Sequence, residues 1–137
     1  MRITLRLTGA LAALAVLMLL SVPSALAGGA GTFGWMVVED HHSGVSGQAT
    51  ATDNGDGTTT IVIEVQGYSS GSVLVASIHD GKYDGYKADP TFVLNDVVNG
   101  SSTTTIPMSL MELQSQSRIL LLQDPSSIVA FGQLESI

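Results

Sequence analysis

The chain has no cysteine, so neither a disulfide nor a thiolate metal cage holds it together. Basic residues are scarce as well: five Lys and Arg stand against twelve Asp and Glu, a net charge of −7. Such a field repels phosphate backbones and anionic lipid, which argues against nucleic acid and membrane surfaces as partners. Histidine occurs three times, at His41, His42 and His79. A specific zinc or copper site wants three or four well-placed ligands, and neighbours on an extended chain point to opposite faces. His41 and His42 therefore do not easily share one metal.

The one long apolar run lies at the start. Arg2 and Arg6 precede apolar residues 7–20, and Ser21-Val22-Pro23-Ser24 leads to Ala25-Leu26-Ala27. A basic head, an apolar stretch and a small-x-small site predict a secretory signal, residues 1–27, cleaved after Ala27. The rival is an uncleaved anchor, which needs about 20 apolar residues; Thr8 and Gly9 interrupt one end here and Pro23 closes the other. No cysteine follows the run, which excludes a lipoprotein anchor. The expected product is secreted, whether extracellular, cell-surface or periplasmic. Its 110 residues are expected to comprise a glycine-rich flexible lead-in, residues 28–34, and one domain, residues 35–137. Cleavage leaves Lys82, Lys87 and Arg118 against twelve acids, net −9, which suits solubility, cation binding or a basic partner.

Period-two patterning follows. Val45, Gly47, Ala49 and Ala51 alternate with polar residues, as do Ile61, Ile63 and Val65. Asp53-Asn54-Gly55-Asp56-Gly57 between them accepts positive φ, so the segment reads as a β-hairpin. Further strands are expected over residues 35–39, 73–79, 91–98, 103–110, 118–123 and 128–134. Residues 73–79 are apolar on both faces at first, as in a covered central strand. About eight short strands with frequent turn signals predict an all-β, antiparallel Greek-key sandwich or flattened barrel. Ser109-Leu110-Met111-Glu112 fits a capping box, which predicts one short helical turn over residues 111–115.

Gly67-Tyr68-Ser69-Ser70-Gly71 matches the G-x-S-x-G of nucleophile elbows, but the residues after it read as strand rather than helix. Asp53 to Gly57, with Glu64 at the twelfth position, resembles a truncated calcium loop. Glu64 falls inside a strand, and Gly55 and Gly57 offer no side-chain oxygen, so a turn is preferred. Asn99-Gly100-Ser101 is a glycosylation acceptor in a turn. The longest loop, residues 80–90, gathers acids, lysines and tyrosines. A solvated loop, a divalent-cation site and a ligand-presenting loop all fit that composition. The metal candidates are His79, Asp80 and Asp84; the binding-loop candidates are Tyr83, Tyr86, Lys87 and Asp89.

Three stretches together resemble the superoxide-dismutase-like β-sandwich, specifically its chordin-type (CHRD) relatives. Val75-Ala76-Ser77-Ile78-His79-Asp80-Gly81 is similar to an H-x-H strand followed by an acid and glycine. Phe92 to Ser102, leading to Ile106-Pro107-Met108-Ser109-Leu110-Met111-Glu112-Leu113, is similar to the relatives' loop, strand and short turn. Ile119-Leu120-Leu121-Leu122-Gln123-Asp124 and Phe131-Gly132-Gln133-Leu134 resemble the late "vVHe" and "CGvI" strings. The resemblance implies a copper–zinc cage, and the chain departs from it: Ser77 and Gln123 stand at histidine positions, and only His79 survives. Tyr83 and Phe131 stand at the implied disulfide positions, where an aromatic contact would replace the staple if they face each other. The expectation is a non-catalytic module without cofactor, binding an unknown extracellular protein or glycan through residues 80–90 and the turn of residues 99–102. A metal-binding protein with a vestigial site is the alternative, and edge-strand assembly into oligomers a third.

Overall fold

The computed structural model describes residues 31–67 and 72–135. Residues 1–27, where a signal is expected, and most of the G-x-S-x-G string lie outside these residues. The strands are β1 (Thr32–Glu39), β2 (Ser46–Asp53), β3 (Thr59–Gln66), β4 (Val73–Asp80), β5 (Phe92–Val93), β6 (Val97–Val98), β7 (Ser101–Ile106), β8 (Arg118–Gln123) and β9 (Ile128–Leu134). One helical turn, α1 (Leu110–Leu113), precedes β8.

The strands pair antiparallel in the ring order β8-β9-β1-β2-β3-β7-β6-β4, and β4 pairs back onto β8 to close an eight-stranded barrel. Spatial order β8-β4-β6-β7 is a Greek key: three consecutive strands, with the fourth returning beside the first. The barrel is flattened because two strands turn corners. β1 pairs with β2 through Val37 and with β9 at Val38 and Glu39; β4 pairs with β6 at Val73 and Leu74 and with β8 from Val75 onward. Every ring strand has a partner on both sides, and the short β5, paired with β4 alone, is the edge left among the described strands.

The hairpin of β2 and β3 follows from alternation. Thr59, Ile61, Ile63 and Val65 are buried while Glu64 and Gln66 face water. Across the β1–β2 pair, Trp35 lies opposite Ala49 and Phe33 opposite Ala51, a large residue against a small one each time. Leu74, Ala76, Ile78, Leu120 and Leu122 complete the interior. Each fully buried Leu or Ile contributes about 1.5–3 kcal/mol. On β8, Ile119 and Leu121 are also buried, although they point to the other face. Ser77 and His79 on neighbouring β4 share that face, paired with Leu121 and Ile119. A second layer must cover this wall, and the loop after β4 supplies it.

Several boundaries move from the sequence reading. β1 already contains Thr32 to Gly34, which had been assigned to the lead-in; Phe33 stacks on Trp35 with ring centres 5.8 Å apart. The strand expected over residues 91–98 is two pieces. Ser77 pairs with Val93 but Leu74 pairs with Val97, so one extra residue is inserted between them, a β-bulge. Asn95 fastens this bulge to β7: its N–H donates to Thr104 Oγ1 (2.8 Å), its side-chain amide donates to Thr103 O (2.7 Å), and its carbonyl accepts from Ser102 Oγ (2.7 Å). The next strand starts at Ser101 and stops at Ile106, because Pro107 has no N–H to continue the ladder. The helical turn starts at Leu110, one residue early, with the Ser109 hydroxyl accepting from the Glu112 N–H (3.2 Å).

The Asp53 to Gly57 segment is a turn. Asp53 Oδ1 accepts from the Gly55 N–H and Asp56 Oδ1 from the Thr58 N–H, while Glu64 lies in β3. Asn99 and Gly100 both have positive φ (53° and 85°) and make the two-residue β6–β7 turn. β4 follows Gly67 and Ser72, which agrees with a strand-to-strand connection there.

Candidate functional site

The loop of residues 80–91 lies across the outer wall of β4, β8 and β9, and its chemistry is turned inward. His79 is buried; its Nδ1–H donates to the Lys87 carbonyl (2.8 Å), and Nε2 is hydrogen-bonded to the Ser77 hydroxyl (2.9 Å). Tyr86 packs edge-on against the imidazole at 5.4 Å. Both ring nitrogens are thus engaged, Nδ1 by the loop and Nε2 by the neighbouring Ser77 of β4. Asp80 Oδ1 accepts from Arg118 Nη1 (2.6 Å) and from Thr91 Oγ1 (2.9 Å). Arg118, itself buried, also donates from Nε to the Leu113 carbonyl at the end of α1 (3.0 Å).

Tyr83 is the outermost brace. Its ring lies 4.3 Å from that of Phe131, at 30°, and its hydroxyl donates to Asp40 Oδ1 (2.9 Å). That hydrogen bond raises the pKa of the phenol above its ordinary 10.0. Its N–H donates to Gln133 Oε1 (3.0 Å). Tyr83 and Phe131 therefore do face each other. Truncating either to alanine is expected to cost about 2 kcal/mol in a urea melt, since Tyr83 is partly exposed and the full cost of a buried aromatic is about 3–5 kcal/mol. A loss within about 0.5 kcal/mol would reduce the pair to surface decoration.

The structure does not bring the sequence-derived metal candidates together. His79 spends its nitrogens on Ser77 and Lys87, Asp80 is paired with Arg118, and Asp84 is exposed. Among the described residues, no three His, Asp or Glu side chains form a group suited to a metal ion. The residues at the implied cage positions do not fit copper or zinc: Ser77 is bonded to the one remaining imidazole, and Gln123 offers no imidazole at all. Of the binding-loop candidates, Tyr83 and Tyr86 pack against the wall, while Lys87 and Asp89 are exposed.

A different constellation forms at the mouth of the barrel, where the β1–β2 and β8–β9 connections meet Gly67 and Ser72, beside the ends of β3 and β4. A cleft of about 410 Å³ opens there, with Asp40, His41, Ser43, Asp124 and Ser127 among its walls. Its apolar lining is Val45, Leu74, Ile128 and Val129. His41 and His42 occupy a tight turn with φ of 52° and 58°, closed by a hydrogen bond from Ser43 N–H to Asp40 O (3.1 Å). Non-glycine residues pay about 1–2 kcal/mol each for this left-handed geometry. It is held by the Ser43 hydroxyl donating to Val129 O, and by the Asp40 N–H donating to the same carbonyl (2.9 Å).

Asp40 is buried with both oxygens engaged, Oδ1 by Tyr83 and Oδ2 by His41 Nδ1 (3.0 Å). Asp124 Oδ1 accepts from the Ser126 N–H, the Ser126 hydroxyl and the Ser127 N–H, at 2.8, 2.9 and 2.8 Å. These donors hold its carboxyl below the ordinary 3.8. The folded pKa is depressed, so this turn's contribution is present above the unfolded value and fades as pH falls through the folded one. Sequence reasoning missed Asp40, Ser43, Asp124 and Ser127. The turn signal at Asp124-Pro125-Ser126-Ser127 was visible, but not its meeting with a turn some eighty residues earlier. Comparison with known protein families, with curated proteins and with solved structures finds no match to this chain.

Proposed function

We propose that the chain is exported through residues 1–27 and works outside the cytoplasm as a non-catalytic binding or structural module. In this reading it is a chordin-type (CHRD) relative on a superoxide-dismutase-like barrel that lacks the metal cage. The closed Greek-key ring supports the fold assignment. One observation carries the binding role: the mouth cleft gathers polar groups from separate loops over an apolar floor, at a place where β-barrels commonly hold ligands. The long loop serves as a brace for the wall, and the cleft displaces it as the working surface.

Export and the metal question are tested together. The full chain, produced in a secreting host, is expected to be recovered with Gly28 as its first residue. Its melting temperature is expected to move by less than about 1 °C with copper, zinc or calcium, because only a ligand of the native state raises it by mass action. A rise of several degrees with any of these ions would replace this reading with that of a metal-binding protein. Secreted material retaining residues 1–27 would replace the cleaved signal with an anchor.

A further inference from the structure

We propose that the mouth cleft receives an organic cation: an ammonium or guanidinium group carried on a short apolar stem. This rests on the reading of the cleft as the binding site and names the ligand class. Six of the described lining side chains are polar: two carboxylates, three serine hydroxyls and one imidazole. Asp40 and Asp124 carry carboxylates, and no Lys or Arg is among the described lining residues. Asp124 Oδ1 is saturated by its three donors, and no donor among the described residues reaches Oδ2. His41 spends Nδ1 on Asp40, which leaves Nε2 on a side chain that is 83% exposed at the rim. The Ser43 hydroxyl spends its proton on Val129 O.

An anion meets two carboxylates and no Lys or Arg in this cleft, and a neutral polyol adds no counter-charge to the carboxylates. A cation satisfies them, and Val45, Leu74, Ile128 and Val129 fit the methylenes behind it, as the stem of a lysine side chain requires. Long-range charge acts in the same direction, since the chain is strongly acidic. Of the domain's own cations, Arg118 is buried against Asp80, Lys82 is paired with Glu135 at 3.4 Å, and Lys87 lies exposed on the loop after β4, outside the cleft lining. A free diamine and a lysine or arginine of a partner protein share this chemistry.

The test is an amide-resolved NMR titration of the secreted protein with three probes: 1,5-diaminopentane, the peptide acetyl-Gly-Lys-Gly-amide and 1,5-pentanediol. The diamine is expected to shift the Gly44, Ser126 and Ser127 amides, less strongly as salt is added, while the diol leaves them unmoved. A stronger response to the peptide marks a protein partner as the source, and a stronger response to the diamine marks a free amine. Asp124→Asn keeps the acceptor its turn needs and is expected to weaken diamine binding about fivefold, whereas Glu64→Gln on the outer wall leaves it unchanged. Equal shifts with diol and diamine would overturn the cation assignment while leaving the cleft a binding site. Cleft amides that ignore all three probes would overturn it outright. Comparing diol with diamine uses the unmutated protein, so the test holds even if Asp124→Asn fails to fold.

Discussion

Replacing Arg118 with alanine is expected to lower stability by about 3 kcal/mol, read as a shift in the urea midpoint at neutral pH without a change in slope. The guanidinium is buried and performs two tasks from one planar fork. It pairs with Asp80 at 2.6 Å, at the end of β4, and donates to the Leu113 carbonyl, at the end of α1. Removal leaves the Asp80 carboxylate partly covered without its partner, and leaves a helix-end carbonyl unsatisfied. Breaking a fully buried pair costs about 3–5 kcal/mol. The side chain of Asp80 keeps 24% of its exposure, which places the expectation at the lower end. Arg118→Lys restores a charge but not the fork and should recover less than half of the loss. A loss within about 0.5 kcal/mol for the alanine variant would mean that the pair is as dispensable as a surface one.

A comparable loss, at least about 3 kcal/mol, is expected from Gly47→Ala. A Cβ at this position would sit 2.0 Å from the Glu64 carbonyl oxygen and 2.7 Å from the Val65 Cα. Both atoms are backbone, so no side chain can swing aside; β2 must separate from β3 around the Gly47–Val65 pair. Overpacking of side chains costs about 1–3 kcal/mol, and a collision with the ladder itself costs more. Gly34→Ala is the control in the neighbouring strand. Its Cβ would meet nothing nearer than the Ala49 carbonyl oxygen at 3.7 Å, so its effect is expected to stay within about 0.5 kcal/mol. Equal melting of the two variants would show that the sheet absorbs the Gly47 methyl by a small slide.

Local periodicity made the sheets legible. The hairpin of β2 and β3 follows from strict alternation, and β8 and β9 occupy residues 118–123 and 128–134, as their apolar runs predict. Where one strand had to match two neighbours, the pattern misled: the bulge between Val93 and Val97 depends on Asn95 meeting Ser102, Thr103 and Thr104, a contact across strands rather than along one. The loop after β4 misled for another reason. Its tyrosines and acids look like surface chemistry in one dimension, but β4 and β8 each carry apolar or polar residues that need a lid, and that need turns Tyr86 and Asp80 inward and lays the half-exposed Tyr83 ring on Phe131. Both buried faces of residues 119–122 were readable as an unbroken apolar run; what covers the outer face was not. The cleft was the least legible part, because segments far apart in sequence contribute to it, and the one motif-like string beside them, G-x-S-x-G at residues 67–71, speaks of a different chemistry.

Asp40 sits between two neighbourhoods: one carboxylate oxygen belongs to the phenol of the bracing loop and the other to the imidazole at the rim. A single rigid group thereby ties the flank of the barrel to its opening. By thermodynamic reciprocity, an occupant that draws on this carboxylate at the opening must change how firmly Tyr83 is clasped, and loosening that clasp must change the hold on the occupant by the same factor.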